Sequence, residues 1–273
     1  MSATAVKPPK FDLAQIRGFW AEQAQQHGTS HAASWSDSHV IDLEIAKIAE
    51  YLEAGDRVLD IGCANGFSTI QLAQRASIHI QGLDYVPEMI RQARERLTTV
   101  PDSVRSRTSF DVGDITGLDV TTGSFDKTIV IRVVINLENW ENQQRGLREA
   151  MRTVRPGGLL LLSEATIQGH QKLNAFRSEW GLGPIPEPAF NCYLDEDAVC
   201  KVLDTEAELV EIANFASTYF VGTRVIKPLI AQLVNRDQAV ADPDTHWNRW
   251  FATLPAAGDY GTQKLFVFRK RTP

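Results

Sequence analysis

The chain has 273 residues, 43% hydrophobic and 23% charged, the balance of a soluble globular protein with material for a substantial core. Lysine and arginine number 28 against 34 acidic residues, a net charge of −6, which argues against a nucleic-acid partner that would need a basic face. No apolar run reaches the ~20 residues of a membrane helix, and Cys63, Cys192 and Cys200 lack metal spacing, so the chain reads as cytoplasmic with reduced thiols and no membrane or metal partner.

The opening "MSATAVKPPKF" lacks the apolar segment of a signal peptide and reads as a disordered lead. Residues 12–26 predict a helix with Leu13, Ile16 and Phe19 on a partial stripe. A polar stretch, "HGTSHAASWSDSHVI", precedes a second helix through "DLEIAKIAEYL", with Asp42 as its cap and Glu44 in its first turn. Strand 57–61, helix 67–76, strand 78–83, helix 87–99 and strand 107–112 then alternate. Strand 126–133 and helix 139–154 follow, and Pro156-Gly157-Gly158 stops that helix before the apolar strand 158–163. "AELVEIANFA" and "GTQKLFVFRK" add late strands that suit an antiparallel edge. The pattern predicts an α/β fold with a doubly wound, Rossmann-like sheet. Residues 1–55 are expected to form part of a lid over a domain spanning 56–273. Insertions at 165–200 and 218–258 complete the lid over the strand C-terminal ends. Trp247, Trp250 and Phe251 suit either the core of that cap or a partner subunit, leaving monomer and homodimer both open.

In open α/β sheets ligands bind beyond the carboxyl ends of the strands. "VLDIGCANG" (58–66) stands at that place on the first strand, with Gly62 and Gly66 allowing a tight turn into the next helix. A dinucleotide fingerprint starting at Gly62 would need glycine at 64 and 67, where the chain has Ala64 and Phe67. Asp84 ends the second strand, where a carboxylate can accept from both hydroxyls of a ribose. Asp114 in "VGDI" follows the third strand at the same rim.

The ordered set "VLDIGCANG", "GLDYVPEMI", "VGDI", "FDKTIVIRVVINL" and "RPGGLLLLSEA" resembles the class I methyltransferases that use S-adenosyl-L-methionine and release S-adenosyl-L-homocysteine. The resemblance implies a seven-stranded sheet of order 3-2-1-4-5-7-6 with strand 7 antiparallel. It wraps the turn from Gly62 through Cys63 and Asn65 to Gly66 around the methionine part, counts Asp60 among the cofactor-binding residues and places Asp84 on the ribose. Tyr85 and Met89 would lie near the adenine, Asp114 and Ile115 would bracket it, and Arg132 with Val133 would close the inner side. Ala64 departs from the family's frequent middle glycine. The outer elements "W..Q...HG", "W.D", "INL..W..Q" and "LN..R...GL" resemble a bacterial small-molecule group within that family.

The acceptor must be read from outside this shared frame. Trp20, His31, Asn136, Gln168, Arg177, Asn191, Tyr193 and Tyr219 supply amide, hydroxyl, imidazole, guanidinium and aromatic groups suited to a small polar molecule. Each of them singly also suits a solvated lid or the core. A hydroxyl acceptor needs a proton acceptor within reach, for which His27 and Glu164 are the candidates. The expectation is O-methylation of a sugar or natural product. N-methylation of an amine metabolite and a non-catalytic binding protein are the alternatives. The place after strand four reads "IRVVIN" without proline, unlike methyltransferases of DNA and many of protein amino groups.

Overall fold

The computed structural model describes residues 10–235 and 240–272, so the first nine residues of the lead expected over 1–11 lie outside the described residues. The alternating apolar runs form strands β1 (Arg57–Ile61), β2 (His79–Asp84), β3 (Thr108–Val112), β4 (Phe125–Ile131), β5 (Val154–Ala165), β6 (Ala207–Ala213) and β7 (Gln263–Lys270). They pair in one sheet of order 3-2-1-4-5-7-6, with β7 antiparallel to both β5 and β6. β1 pairs in parallel with β2 on one side and β4 on the other, so the order reverses there and leaves a crevice at the strand ends.

Helices α1 (Leu13–His27), α2 (Ser38–Ala49), α3 (Phe67–Arg75), α4 (Pro87–Leu97), α5 (Asp102–Arg105) and α6 (Trp140–Thr153) belong to the first two thirds of the chain. The insertions supply α7 (Ile167–Glu179), α8 (Glu196–Leu203), α9 (Ser217–Val221), a π-helical turn (Gly222–Ile226), α10 (Lys227–Leu233) and α11 (His246–Ala252).

The leucine run of β5 is apolar throughout because both of its faces are covered. Leu159 and Leu161 join a core with Val58, Ile129, Val267 and the α2 residues Ile41, Ile45 and Ile48. Leu160 and Leu162 point the other way, toward Leu147 and Met151 of α6, Val199 and Leu203 of α8, and Phe266. Apart from α8, the insertions pack on the α2 side, where Leu173, Phe215, Tyr219, Phe220 and Phe251 enter the same core.

Three local expectations change. Asp37, not Asp42, caps α2, its carboxylate accepting from Val40 N–H at 3.4 Å, because the helix starts five residues earlier than a cap at Asp42 implies. Pro156-Gly157-Gly158 does not separate α6 from β5: the helix stops at Thr153 and β5 already runs from Val154 through these residues. A register shift in the β4 pairing between Phe125 and Lys127 absorbs the irregularity. Trp247 and Phe251 pack into the core, whereas Trp250 points outward with 58% of its surface exposed. No helix among the described residues is long and apolar enough to cross a membrane.

Candidate active site

The glycine turn is fixed by backbone before any ligand is considered. Gly62 and Cys63 both donate their N–H to Leu83 O, at 2.6 and 3.0 Å. Gly62, Ala64 and Gly66 have φ of +75°, +47° and +73°. Ala64 therefore occupies a left-handed conformation that costs an L-residue about 1–2 kcal/mol, which is why glycine suits this place. A Cβ on Gly62 would come within 2.1 Å of Val133 Cγ2, and one on Gly66 within 2.7 Å of Phe110. These glycines let the turn pack on its own protein neighbours as well as bend. Asn65 donates its amide to Gly28 O (2.9 Å) and Ser30 O (2.6 Å), tying the turn to the end of α1. No side chain caps α3, so its first-turn N–H groups stay available beside Phe67 and Ser68.

Above the turn lies a cavity of about 360 Å³. Asp60, Gly62, Cys63, Asn65, Asp84, Tyr85, Met89, Asp114, Ile115, Arg132 and Val133 line it. Of the residues expected around a cofactor only Gly66 stands behind the wall, against Phe110. Leu13, Arg17 and Trp20 of α1 form part of the lining on one face at i, i+4, i+7; Trp20 is an expected acceptor residue, whereas Leu13 and Arg17 carried no such expectation. Ser34, Phe67, Ser68, Gly113 and Leu137 also line the cavity and were not among the expected site residues.

Three carboxylates mark this space. Asp84 accepts from Ala64 N–H on Oδ2 and from Val86 N–H on Oδ1, each at 2.9 Å. Burial pushes its carboxyl up to about 6 against those two bonds. Asp60 is likewise raised to about 6 by burial, while the Thr69 hydroxyl, donating at 2.6 Å, opposes the shift. Asp114 is exposed, and its Oδ1 accepts from Thr116 N–H and Oγ1, both at 2.8 Å. Burial raises the Cys63 thiol well above its ordinary value, so it stays protonated and is no nucleophile. Among the described residues no group of three or more His, Cys, Asp or Glu side chains could hold a metal.

The two expected general bases stand elsewhere. His27 ends α1, half-buried and outside the cavity lining. It lies seven residues beyond Trp20, about 10 Å further along the axis. Glu164 is fully buried and also outside the lining. Its Oε1 accepts from Val133 N–H (2.8 Å) and Val134 N–H (2.7 Å), and Oε2 from Ile135 N–H (3.4 Å). Burial raises this carboxyl to about 8 while those N–H donors pull it down. A carboxylate engaged by backbone in this way is a structural group, so the expectation of a base at Glu164 is corrected.

The expected acceptor residues divide. Trp20 and Asn136 line the cavity. Asn191 and Tyr193 lie beside them on the segment that Cys192 N–H joins to Ile135 O at 2.6 Å. Phe190 packs on Trp20 with 5.7 Å between ring centroids. Asn136 Nδ2 donates to Arg132 O, and its Oδ1 is buried without a partner. Asn191, 8% exposed, has a second such Oδ1. Tyr193, hydrogen-bonded to the Asn191 side chain, is pushed up to about 12 by burial.

The other four are not part of this group. Gln168 bridges Asp195 and the Glu196 N–H where α7 meets α8. Arg177 donates to the carbonyls of Gly183 and Arg224. Tyr219 is buried, its hydroxyl donating to Asp37 at 2.8 Å and accepting from Asn248. His31 packs its ring on Phe67, 5.7 Å between centroids, outside the lining. Long insertions let polar side chains knit one insertion to another, and that use carries the same sequence signature as a ligand pocket.

A family model described as a methyltransferase domain matches residues 58–158, the stretch from β1 to β5 that carries the turn and all three rim carboxylates. Residues 58–158 form a class I methyltransferase domain. Methyltransferase GfsG of Streptomyces halstedii is 28% identical over 51% of this chain and 51% of its own length. The 27-O-demethylrifamycin SV methyltransferase of Amycolatopsis mediterranei is 32% identical over 41% of this chain and 40% of its own. The chain thus matches about half or less of these curated relatives, within the methyltransferase frame. Among solved structures the [4+2]-cyclase SpnF has a TM-score of 0.63 at 18% identity, covering 98% of this chain and 100% of its own. At that identity the likeness is one of fold, and a cyclase on the same frame shows that the frame alone does not set the chemistry.

Proposed function

We propose that this protein transfers the methyl group of S-adenosylmethionine to a small-molecule acceptor that presents hydrogen-bond donors. One observation carries the reading: the left-handed turn, the uncapped start of α3, Asp60 and Asp84 all border one cavity. Asp84 would hold the ribose hydroxyls through the lone pairs left after its two backbone bonds. Asp60 and the α3 N-terminus would meet the ammonium and carboxylate of the methionine part, each with its opposite charge. Tyr85, Met89 and Ile115 offer surface to a planar base, with Asp114 at its edge. When bound, the cofactor supplies an electrophilic methyl on sulfur, and the protein's task is alignment and exclusion of water. The α1 residues Leu13 and Trp20 serve that exclusion.

On the acceptor side, the partnerless oxygens of Asn136 and Asn191 call for O–H or N–H donors. A hydroxyl acceptor, such as that of a sugar or natural product, is the first reading. An amine is the second, favoured by one observation: no histidine is among the residues lining the cavity. A neutral amine needs orientation but no base at the moment of transfer. Calorimetry with S-adenosylhomocysteine tests the cofactor reading. Label transfer from S-adenosylmethionine to panels of sugars, phenols and amines tests the acceptor. Binding without transfer to any panel member would favour a binding protein over an enzyme.

A further inference from the structure

Two buried carboxylates outside the cavity lining act on one stretch of its wall. Between β4 and α6 the chain makes a 3-10 turn at Val134–Asn136, and Arg132, Val133, Asn136 and Leu137 of this stretch face the cavity. Arg132 has φ of +55°, a conformation that a side chain this large keeps only when its surroundings impose it. Its N–H donates to Ser163 O at 2.8 Å and its carbonyl accepts from Asn136 Nδ2 at 2.6 Å. Its guanidinium stacks 5.0 Å from the centre of the Trp35 ring and pairs with Glu44 Oε2. Glu44 is fully buried on α2, and its Oε1 accepts from Ser163 Oγ and from Gln263 Nε2, the latter at 3.3 Å.

Glu164 approaches the same stretch from the other side. Ser163 and Glu164 are successive residues of β5 and therefore point to opposite faces of the sheet. The Glu164 carboxylate takes the N–H groups of Val133, Val134 and Ile135, three donors that have no strand partner. Burying two carboxylates is expensive, and apolar side chains would fill the same volumes at lower cost. Both are instead aimed at four consecutive residues, 132–135, and Asn136 is tied to them through Arg132 O. Val133 in turn abuts Gly62 so closely that no Cβ fits between them, so a displaced Val133 would release the glycine turn as well.

We infer that Glu44 and Glu164 are positioning residues that clamp the Arg132–Asn136 stretch from its two sides and so set the inner wall of the cavity. The effect on cofactor rests on the reading proposed above, whereas the clamp itself can be measured without ligand. Hydrogen exchange on the full chain supplies that measurement. In the wild type the Val133 and Val134 amides should exchange as slowly as strand amides, although no strand pairs with them. Glu164→Gln sets an amide group among the N–H donors and should speed exchange over 132–137 about tenfold, with β1 amides unchanged. In Glu44→Gln and Glu164→Gln, S-adenosylhomocysteine affinity measured well below the melting temperature should fall about tenfold. Glu149→Gln, which breaks an α6 surface pair with Arg152, should leave it unchanged. A role in stability alone would lower the melting temperature and spare the affinity of the folded variants, and that result would overturn the proposal. Unchanged exchange over 132–137 in folded Glu164→Gln would overturn it too. If that variant does not fold, fast exchange of Val133 and Val134 in the wild type would do so. A wild type that binds no S-adenosylhomocysteine would remove the cofactor reading, and exchange alone would then decide the clamp.

Discussion

The N–H of Ala64 donates to the Asp84 carboxylate over 2.9 Å, so the glycine turn of the first strand and the acid that ends the second are one rigid unit. Neither residue can move without disturbing the other. Asp84→Ala should therefore weaken cofactor binding twice, by removing the ribose acceptor and by freeing the left-handed Ala64. Loss of a charged hydrogen-bond partner costs about 1.5–3 kcal/mol, a roughly ten- to hundredfold rise in Kd. Calorimetry with S-adenosylhomocysteine on folded Asp84→Ala checks this, and unchanged affinity would refute the ribose assignment.

The two buried acids at the rim should give opposite pH slopes to stability and to binding. Asp60 and Asp84 both titrate near 6 in the folded chain, above the ordinary aspartate value of 3.8. The folded state therefore holds more protons than the unfolded one between those values. Their contribution to stability is present in full below the ordinary value and is lost as pH rises through about 6. Cofactor binding wants both groups ionised, so affinity should fall as pH drops below about 6, with protons released on binding near that pH. Calorimetry near pH 6 in buffers of different ionisation enthalpy measures the release. Thermal melts from pH 4.5 to 7.5 on wild type and Asp60→Asn measure the stability slope, which the variant should flatten.

Much of the frame was legible because each of its parts follows from a local rule. Strand β5 announced itself through a leucine run that only a doubly covered strand tolerates, and β1, β2 and β4 through apolar runs that end in polar residues at the rim. The turn at 62–66 and Asp84 were legible because a tight left-handed turn restricts the residue types that fit. The acceptor side was not. Arg177 and Tyr219 looked like ligand-facing groups, yet Arg177 holds the carbonyls of Gly183 and Arg224, and Tyr219 holds Asp37. Their partners lie 6 to 182 residues away, and no local pattern encodes such pairings. Glu44 passed for a first-turn helix acid for the same reason, since Arg132 is 88 residues further along.

Two glycines with the same backbone sign separate strain from packing. Gly62 and Gly181 have φ of +75° and +69°, but a Cβ on Gly181 meets nothing within 4 Å while one on Gly62 strikes Val133. Gly181→Ala should cost only the conformational term, about 1–2 kcal/mol. Gly62→Ala should cost a few kcal/mol more, on the order of an overpacked core site, and should abolish cofactor binding. Chemical denaturation of both variants gives the comparison, and equal losses would show that Val133 yields freely.

Asn191 is the cleanest probe of the acceptor, because its side chain stands outside the cavity lining proper and carries a partnerless Oδ1. Asn191→Ala should raise the acceptor KM about tenfold, the worth of one hydrogen bond, and leave S-adenosylhomocysteine affinity intact. Gln168→Ala should change neither, its amide being held by Asp195. An unchanged acceptor KM in Asn191→Ala would move the acceptor away from the Ile135–Cys192 seam.

His27→Ala separates a chemical base from alignment. The imidazole lies beyond the cavity end of α1, and the side chains that line the cavity are three aspartates, two arginines, small polar groups and apolar groups. A base must come within hydrogen-bond reach of the proton it takes, about 2.6–3.2 Å or one water away. From outside the lining His27 does not meet that condition, so turnover in His27→Ala should stay within about twofold of wild type. Water would then receive the proton, and alignment would carry the rate, as effective molarities of oriented reactants allow. The check is kcat across pH 6–9 for wild type and His27→Ala with whichever acceptor the label-transfer panel identifies. A hundredfold fall in kcat at unchanged cofactor affinity would restore His27 as the base and require α1 to shift along its axis during the reaction.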